Sequence, residues 1–65
     1  MARWTGQTIT LQIGAKWNYK LELREESDTG GRSDIVLGRA TFNSEQEAKA
    51  GGDAHLKAEI ERRSR

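Results

Sequence analysis

The chain has 65 residues, enough for one small domain over residues 1–65, and a chain of this size buries only roughly 60% of the surface that its unfolded form exposes. It contains no cysteine, so a disulfide framework and a thiolate metal site are both excluded, and the core or an oligomer must supply the stability. Eleven Lys and Arg residues nearly balance ten Asp and Glu residues, for a net charge of +1, which gives little support to a nucleic-acid ligand.

The chain carries no sign of membrane insertion or export. No apolar run approaches the roughly 18 residues of a membrane span. The first residues, MARWTGQ, lack the apolar middle of a signal peptide. We therefore expect no membrane partner and a cytoplasmic location.

Two stretches near the start alternate between apolar and polar residues, which is typical of half-buried strands. The first covers Gln7–Ile13 and the second Trp17–Arg24, with the connection GAK between them as a hairpin turn. A three-residue loop would place the apolar residues of both strands on one face. The resulting predicted pairs are Ile13 with Trp17, Leu11 with Tyr19 and Ile9 with Leu21.

A polar, glycine-containing stretch, Glu25–Asp34, predicts a mobile surface loop. The third predicted strand covers Ile35–Phe42, but simple alternation fails within it. Ile35 and Leu37 have one parity, whereas Phe42 has the other. A β-bulge at Gly38–Arg39 would restore a single inward face, so we predict one there.

A helix is predicted from Ser44 to about Arg62. Ser44 and Glu47 have the spacing of a capping box, in which the serine hydroxyl accepts from the amide three residues later. Gly51 and Gly52 should each destabilise the interior of the helix by about 0.5–1 kcal/mol relative to alanine. Because the inward stripe of the helix is poor in bulk, we expect both glycines to let it lie close over Trp17 and Tyr19.

Together these elements predict an α+β fold, a three-stranded antiparallel meander with one C-terminal helix packed on one face. The predicted core residues are large or small apolar side chains from all four elements: Ile9, Leu11, Trp17, Tyr19, Leu21, Phe42, Ala48, Leu56 and Ile60.

The residues that could perform chemistry are few. The single histidine, His55, has no cysteine to pair with, and a serine would have to reach it from a cap or a loop. A zinc site needs more nitrogen or sulfur ligands than the chain has. We predict no catalytic residue, no metal and no cofactor, and we expect His55 to be a partly buried helix residue with a local hydrogen-bond partner.

The predicted outer face of the sheet is polar and could enter a DNA major groove as a β-ribbon does. Phosphates would be bound by Lys20, Arg24 and Arg39, and base edges would be contacted by Thr10, Gln12 and Asn18. The alternative interpretation is that this surface is the solvent-exposed face of an antiparallel sheet packed on one side, which must be polar in any case.

Two segments, GAKWNYKLELRE and LGRATFNSEQEAKAGGDAHLKA, resemble the Apetala-type DNA-binding domain and the similar arm-binding domains of integrases. They are also similar to small uncharacterised bacterial or phage strand–helix domains. The positions that match in type are Trp17, Leu37, Gly38, Phe42, Ser44, Glu47, Ala48 and Asp53. The resemblance implies a sheet that binds double-stranded DNA. Of the residues with which that family contacts DNA, Trp17, Arg24 and Arg39 are the ones carried over to this chain.

The chain also departs from that family, because its first strand lacks the arginines and tryptophans that project toward DNA, and Gly52 replaces an aromatic residue of the helix. Two functions therefore stay open. One is a non-enzymatic DNA-binding module, such as a phage or bacterial accessory protein, using the outer sheet face. The other is a protein-interaction or homo-oligomeric module using a strand edge.

Overall fold

The computed structural model describes residues 3–27 and 30–64. Three strands, β1 (Arg3–Ile13), β2 (Lys16–Glu26) and β3 (Ser33–Leu37), form an antiparallel sheet in the order β1-β2-β3, and one helix, α1 (Glu45–Arg63), follows. The predicted α+β architecture is therefore confirmed.

The loop between β2 and β3 is shorter than predicted, because both strands extend into it. The Glu25 amide donates to the Arg32 carbonyl at 2.8 Å, which continues the pairing beyond the strand ends. Asp28 and Thr29, which belong to the predicted loop, lie outside the described residues.

The register of the β1–β2 hairpin differs from the predicted one by one residue. The turn contains two residues, Gly14 and Ala15, so that Ile13 pairs with Lys16. Gly14 has a φ of +60°, which is the conformation that the first central residue of a II′ turn requires. A shift of one residue reverses the faces of a strand. The predicted pairing of Ile9, Leu11 and Ile13 with the aromatic face of β2 is therefore wrong.

Beyond Trp4, the helix-facing side of β1 instead carries the small and polar residues Gly6, Thr8, Thr10 and Gln12. Thr10 pairs with Tyr19 and Thr8 with Leu21, whereas Ile9 pairs with Lys20 on the opposite face. Small side chains on this side of β1 allow the close approach of the helix. A β-carbon added at Gly52 would lie 2.3 Å from the Thr8 methyl group, so a bulkier side chain than threonine has no room there.

The third strand stops at Leu37 and its pairing resumes only at Phe42, which forms an isolated bridge with Trp17. Gly38 still donates to the Tyr19 carbonyl at 2.9 Å. Between these two links the chain advances four residues, from 38 to 42, while β2 advances two, from 19 to 17. This segment therefore contains two residues more than the facing part of β2. Because an even number of extra residues leaves the alternation of faces unchanged, the predicted single bulge at Gly38–Arg39 is wrong.

The core is small and centred on β2. Its buried side chains are Tyr19, Leu21, Leu23 and Ala48. Of the other predicted core residues, Trp17, Phe42, Leu56 and Ile60 are half-buried. The predictions for Ile9 and Leu11 are wrong, because the hairpin register turns both away from the helix, and Leu11 is 36% exposed.

The helix begins at the predicted cap, but it lies close over Phe42 and Tyr19 rather than over Trp17 and Tyr19. The Glu47 amide donates to the Ser44 hydroxyl at 3.2 Å, and the Ser64 amide closes the other end on the Ile60 carbonyl at 3.0 Å. Added β-carbons would lie 2.8 Å from the Phe42 ring at Gly51, and 3.0 Å from Tyr19 at Gly52. Both glycines therefore allow a close approach to sheet-side groups, and the aromatic neighbours are Phe42 and Tyr19.

We expect Gly52→Leu to destabilise the fold by about 1–3 kcal/mol, because overpacking against Thr8 and Tyr19 outweighs leucine's better helix propensity. The measurement is urea denaturation followed by circular dichroism. Ala54→Leu, at an exposed position of the same helix, is the matched control and should change stability little. A Gly52→Leu variant as stable as Ala54→Leu would contradict close packing at this position.

Candidate binding surfaces

The sheet has one face free of the helix, which we call the outer face. It is defined by alternate residues of the three strands, because paired residues of an antiparallel sheet share a face. Its members are Arg3, Thr5, Gln7, Ile9, Leu11, Ile13, Lys16, Asn18, Lys20, Glu22, Arg24, Glu26, Ser33, Ile35 and Leu37.

The outer face carries large aliphatic side chains. Ile13 is 55% exposed, Ile35 56% and Leu37 66%. The register places Ile9, Lys20 and Leu37 in one row across the sheet, so that a lysine lies between two aliphatic residues. Single exposed aliphatic residues are ordinary on protein surfaces, but a cluster of them indicates a contact surface.

Charged groups of both signs lie among these aliphatic side chains. Glu22 pairs with Gln7 across the strands and accepts a hydrogen bond from its amide at 2.9 Å. Beside them, Arg24 and Ile35 border a shallow cleft of about 490 Å³. The face is therefore mixed in character, with a carboxylate close to its centre.

Two of the six residues predicted to contact DNA lie on the other side of the sheet. Thr10 and Gln12 pair with Tyr19 and Trp17, whose face is covered by the helix. Their placement on the outer face was wrong because the prediction assumed a three-residue turn. Neither side chain can reach base edges together with Lys20 and Arg24.

Asn18 belongs to the outer-face row, but its amide group is used within the fold. Its nitrogen donates to the Gly38 carbonyl at 3.0 Å and its oxygen accepts from the Tyr19 amide at 2.7 Å. Because β3 leaves the ladder here, Asn18 replaces the missing main-chain partners. A β-carbon at Gly38 would lie 2.8 Å from the Asn18 oxygen, which explains the glycine.

The three predicted phosphate-binding cations are differently placed. Lys20 and Arg24 lie on the outer face, in the middle strand, whereas Arg39 is exposed in the segment that leaves the ladder. Trp17, the aromatic residue carried over from the family resemblance, faces the helix side and bridges to Phe42. This inward position is the one that the alternation predicted.

On the covered face, His55 has the local partner that was expected. Its Nδ1 atom lies 2.8 Å from the Tyr19 hydroxyl, and its Nε2 atom lies 3.7 Å from a Glu59 oxygen. Since the phenol occupies one ring nitrogen and the carboxylate faces the other, the imidazole links helix to sheet. No serine of the described residues is hydrogen-bonded to it.

A second polar cluster, which sequence reasoning missed, lies at the end of the helix. Arg63 donates to Asp34 at 2.8 Å and to Glu59 at 3.1 Å, and its guanidinium carbon lies 4.8 Å from the centre of the Trp4 ring. The hydrogen bond from Arg63 lowers the pKa of Asp34, and the hydrogen bond from Arg62 is the main cause of a lowered Glu59 pKa. The cluster fastens the helix terminus to β1 and β3.

Within residues 3–27 and 30–64, no three His, Asp or Glu side chains are grouped so as to hold a metal ion. In the same described residues, no helix combines the length and the apolar character needed to cross a membrane.

Comparison with known proteins finds no match: no protein-family model, curated protein or solved structure is significantly similar to this chain. The resemblance to the Apetala-type domain therefore stays a prediction.

The Arg63 cluster predicts a specific pH dependence. Asp34 and Glu59 have lowered pKa values in the folded protein. Their contribution to the free energy of unfolding is therefore fully present above the unfolded pKa, about 4, and is lost as the pH falls through the folded pKa. Arg63→Met should therefore lower the melting temperature more at pH 7 than at an acidic pH below the folded pKa values of both carboxyl groups.

Thermal melts of both proteins across this pH range provide the measurement. Lys57→Met, at an exposed helix position, is the control and should show no such pH-dependent difference. An Arg63→Met deficit of the same size at both pH values would mean that the arginine acts through packing on Trp4 alone.

Proposed function

We propose that this protein is a non-enzymatic interaction module that binds a partner protein through the outer face of its sheet. The observation that carries the proposal is the exposure of Ile13, Ile35 and Leu37, each more than half accessible on the face that the helix leaves free. Fully burying one such side chain contributes about 1.5–3 kcal/mol. A partner that covers this face would therefore gain from several of them at once.

The charged groups on the same face suit a protein partner. Lys20, Glu22 and Arg24 lie beside the aliphatic residues and offer both signs of charge. Protein interfaces combine an apolar centre with polar groups around it, and charges there improve specificity more than affinity.

Double-stranded DNA is the second candidate, and Lys20, Arg24 and Arg39 support it. Against it, two of the predicted base-contacting residues, Thr10 and Gln12, lie on the helix side of the sheet. Leu37 and Ile9 flank Lys20, so aliphatic groups would face phosphates, and Glu22 would repel them. The balance therefore favours protein.

Site-specific photo-crosslinking can test this proposal in cells that produce the protein. A photoreactive amino acid at Leu37 should give covalent adducts with a polypeptide, because this side chain is more exposed than Ile13 or Ile35 on the proposed contact surface. The matched control places the same group at Glu61, an exposed helix position, where we expect no adduct of that mass. Equal adducts at both positions, or none at Leu37, would contradict a protein contact through the outer face.

A parallel titration separates the two candidates. Isotope-labelled protein is mixed with duplex DNA at low and moderate salt, and amide shifts are recorded. We expect no saturable shifts at Lys20, Arg24 and Arg39. Shifts focused on these residues that weaken as salt rises would establish phosphate binding and overturn the preference for protein.

A further inference from the structure

The free edge of β1 is long and uncharged over most of its length. The strand spans eleven residues, Arg3–Ile13, contains no proline, and carries no charge after Arg3. Since Ile13 and Lys16 close a two-residue turn, the odd-numbered residues of β1 bond to β2. The amides and carbonyls of Thr8, Thr10 and Gln12 therefore point away from the sheet, and exposed edges of this kind accept another strand.

The opposite edge of the sheet is protected. β3 is only five residues long, and the Ile35 amide, which faces the free side, donates to the Asp34 carboxylate at 2.9 Å. Asp34 is itself held by Arg63 at 2.8 Å. Short length, a charged residue and an occupied amide are ways in which edge strands avoid pairing. Among the described residues, no main-chain hydrogen bond occupies the free edge of β1.

We propose that β1 pairs with β1 of a second copy, antiparallel and about a twofold axis at Thr10, to give a continuous six-stranded sheet. This contact uses the strand edge and goes beyond the outer-face function proposed above. The same residues occur on both sides of a twofold interface, so a free edge is complementary to itself. Because residues 4–13 are uncharged, no like charges oppose one another directly across the new strand pair.

Burial of the apolar residues selects the register. With the axis at Thr10, Ile9 of each copy lies opposite Leu11 of the other on the outer face, and the aliphatic patches of the two copies join. With the axis at Thr8, Ile9 would instead lie opposite Gln7. Cross-strand aliphatic pairs stabilise a sheet more than mixed pairs do, so the Thr10 register is favoured.

The interface is modest in size. Thr8, Thr10 and Gln12 from both copies would form about six main-chain hydrogen bonds. Contacts of this extent fall in the class of small, transient interfaces. We therefore expect a dimer that forms at about 100 μM or above and dissociates at about 1 μM.

Sedimentation and amide exchange test the inference together. As concentration rises from about 1 μM to 500 μM, the sedimenting mass should double. Over the same range, the Thr8, Thr10 and Gln12 amides should become protected by tenfold or more. The Ile9 and Leu11 amides, which bond to β2 within one chain, should be protected at every concentration.

A proline substitution tests the edge directly. Thr10→Pro removes an amide that points outward, so it should abolish the dimer and leave the hairpin paired. Ser33→Pro, the same change at the outward-facing first residue of β3, is the matched control and should leave the dimer intact. Protected Leu21 and Leu23 amides would show that both variants remain folded.

The outcomes distinguish this inference from the outer-face proposal. A mass of one chain at 500 μM, with rapid exchange at Thr10, would overturn the edge dimer, as would a dimer that persists in folded Thr10→Pro. A monomer whose Leu37 crosslinks to a different polypeptide would leave the outer-face function standing alone. Dimerisation without crosslinks from Leu37 would support the edge pairing and reject the outer-face function.

Discussion

The close approach of α1 to the sheet at Gly52 is the constraint on which the rest of the molecule depends. Because a β-carbon here would meet the Thr8 methyl at 2.3 Å, the strand beneath must present small side chains to the helix. Tyr19 fills the space beside the contact and Ala48 lies fully buried on the same helix. The packing offsets the helix-propensity cost of the glycine.

This contact also determines the character of the opposite face. The side chains of a strand alternate, so Thr8 and Thr10 beneath the helix require Ile9 and Leu11 to point away from it. A fold this small has few apolar residues for its core, yet it leaves several of them accessible. Their exposure is the strongest indication of a binding surface in the described residues.

The polar contacts across the covered face orient the helix on the sheet. His55 bonds to Tyr19 in the middle of the helix, and Arg63 joins Asp34 and Glu59 at its end. Arg63 also lies over the Trp4 ring, so one side chain supports the first strand and the third. The Asp34 carboxylate in this cluster additionally occupies the edge amide of β3, and for this reason the two edges of the sheet differ so much.

Sequence alone determined the order of the elements, the Ser44 cap and the close packing of both glycines, because these follow from local periodicity and from steric size. It did not determine the hairpin register. Ile9 and Leu11 satisfy a strand pattern equally well on either face, and only the two-residue turn at Gly14 and the space beneath Gly52 decide between them. That single difference moved Thr10 and Gln12 from the predicted DNA-binding face to the helix side. The Arg63 cluster was likewise beyond the sequence, since Trp4, Asp34 and Glu59 are brought together only when the helix terminus packs across the sheet.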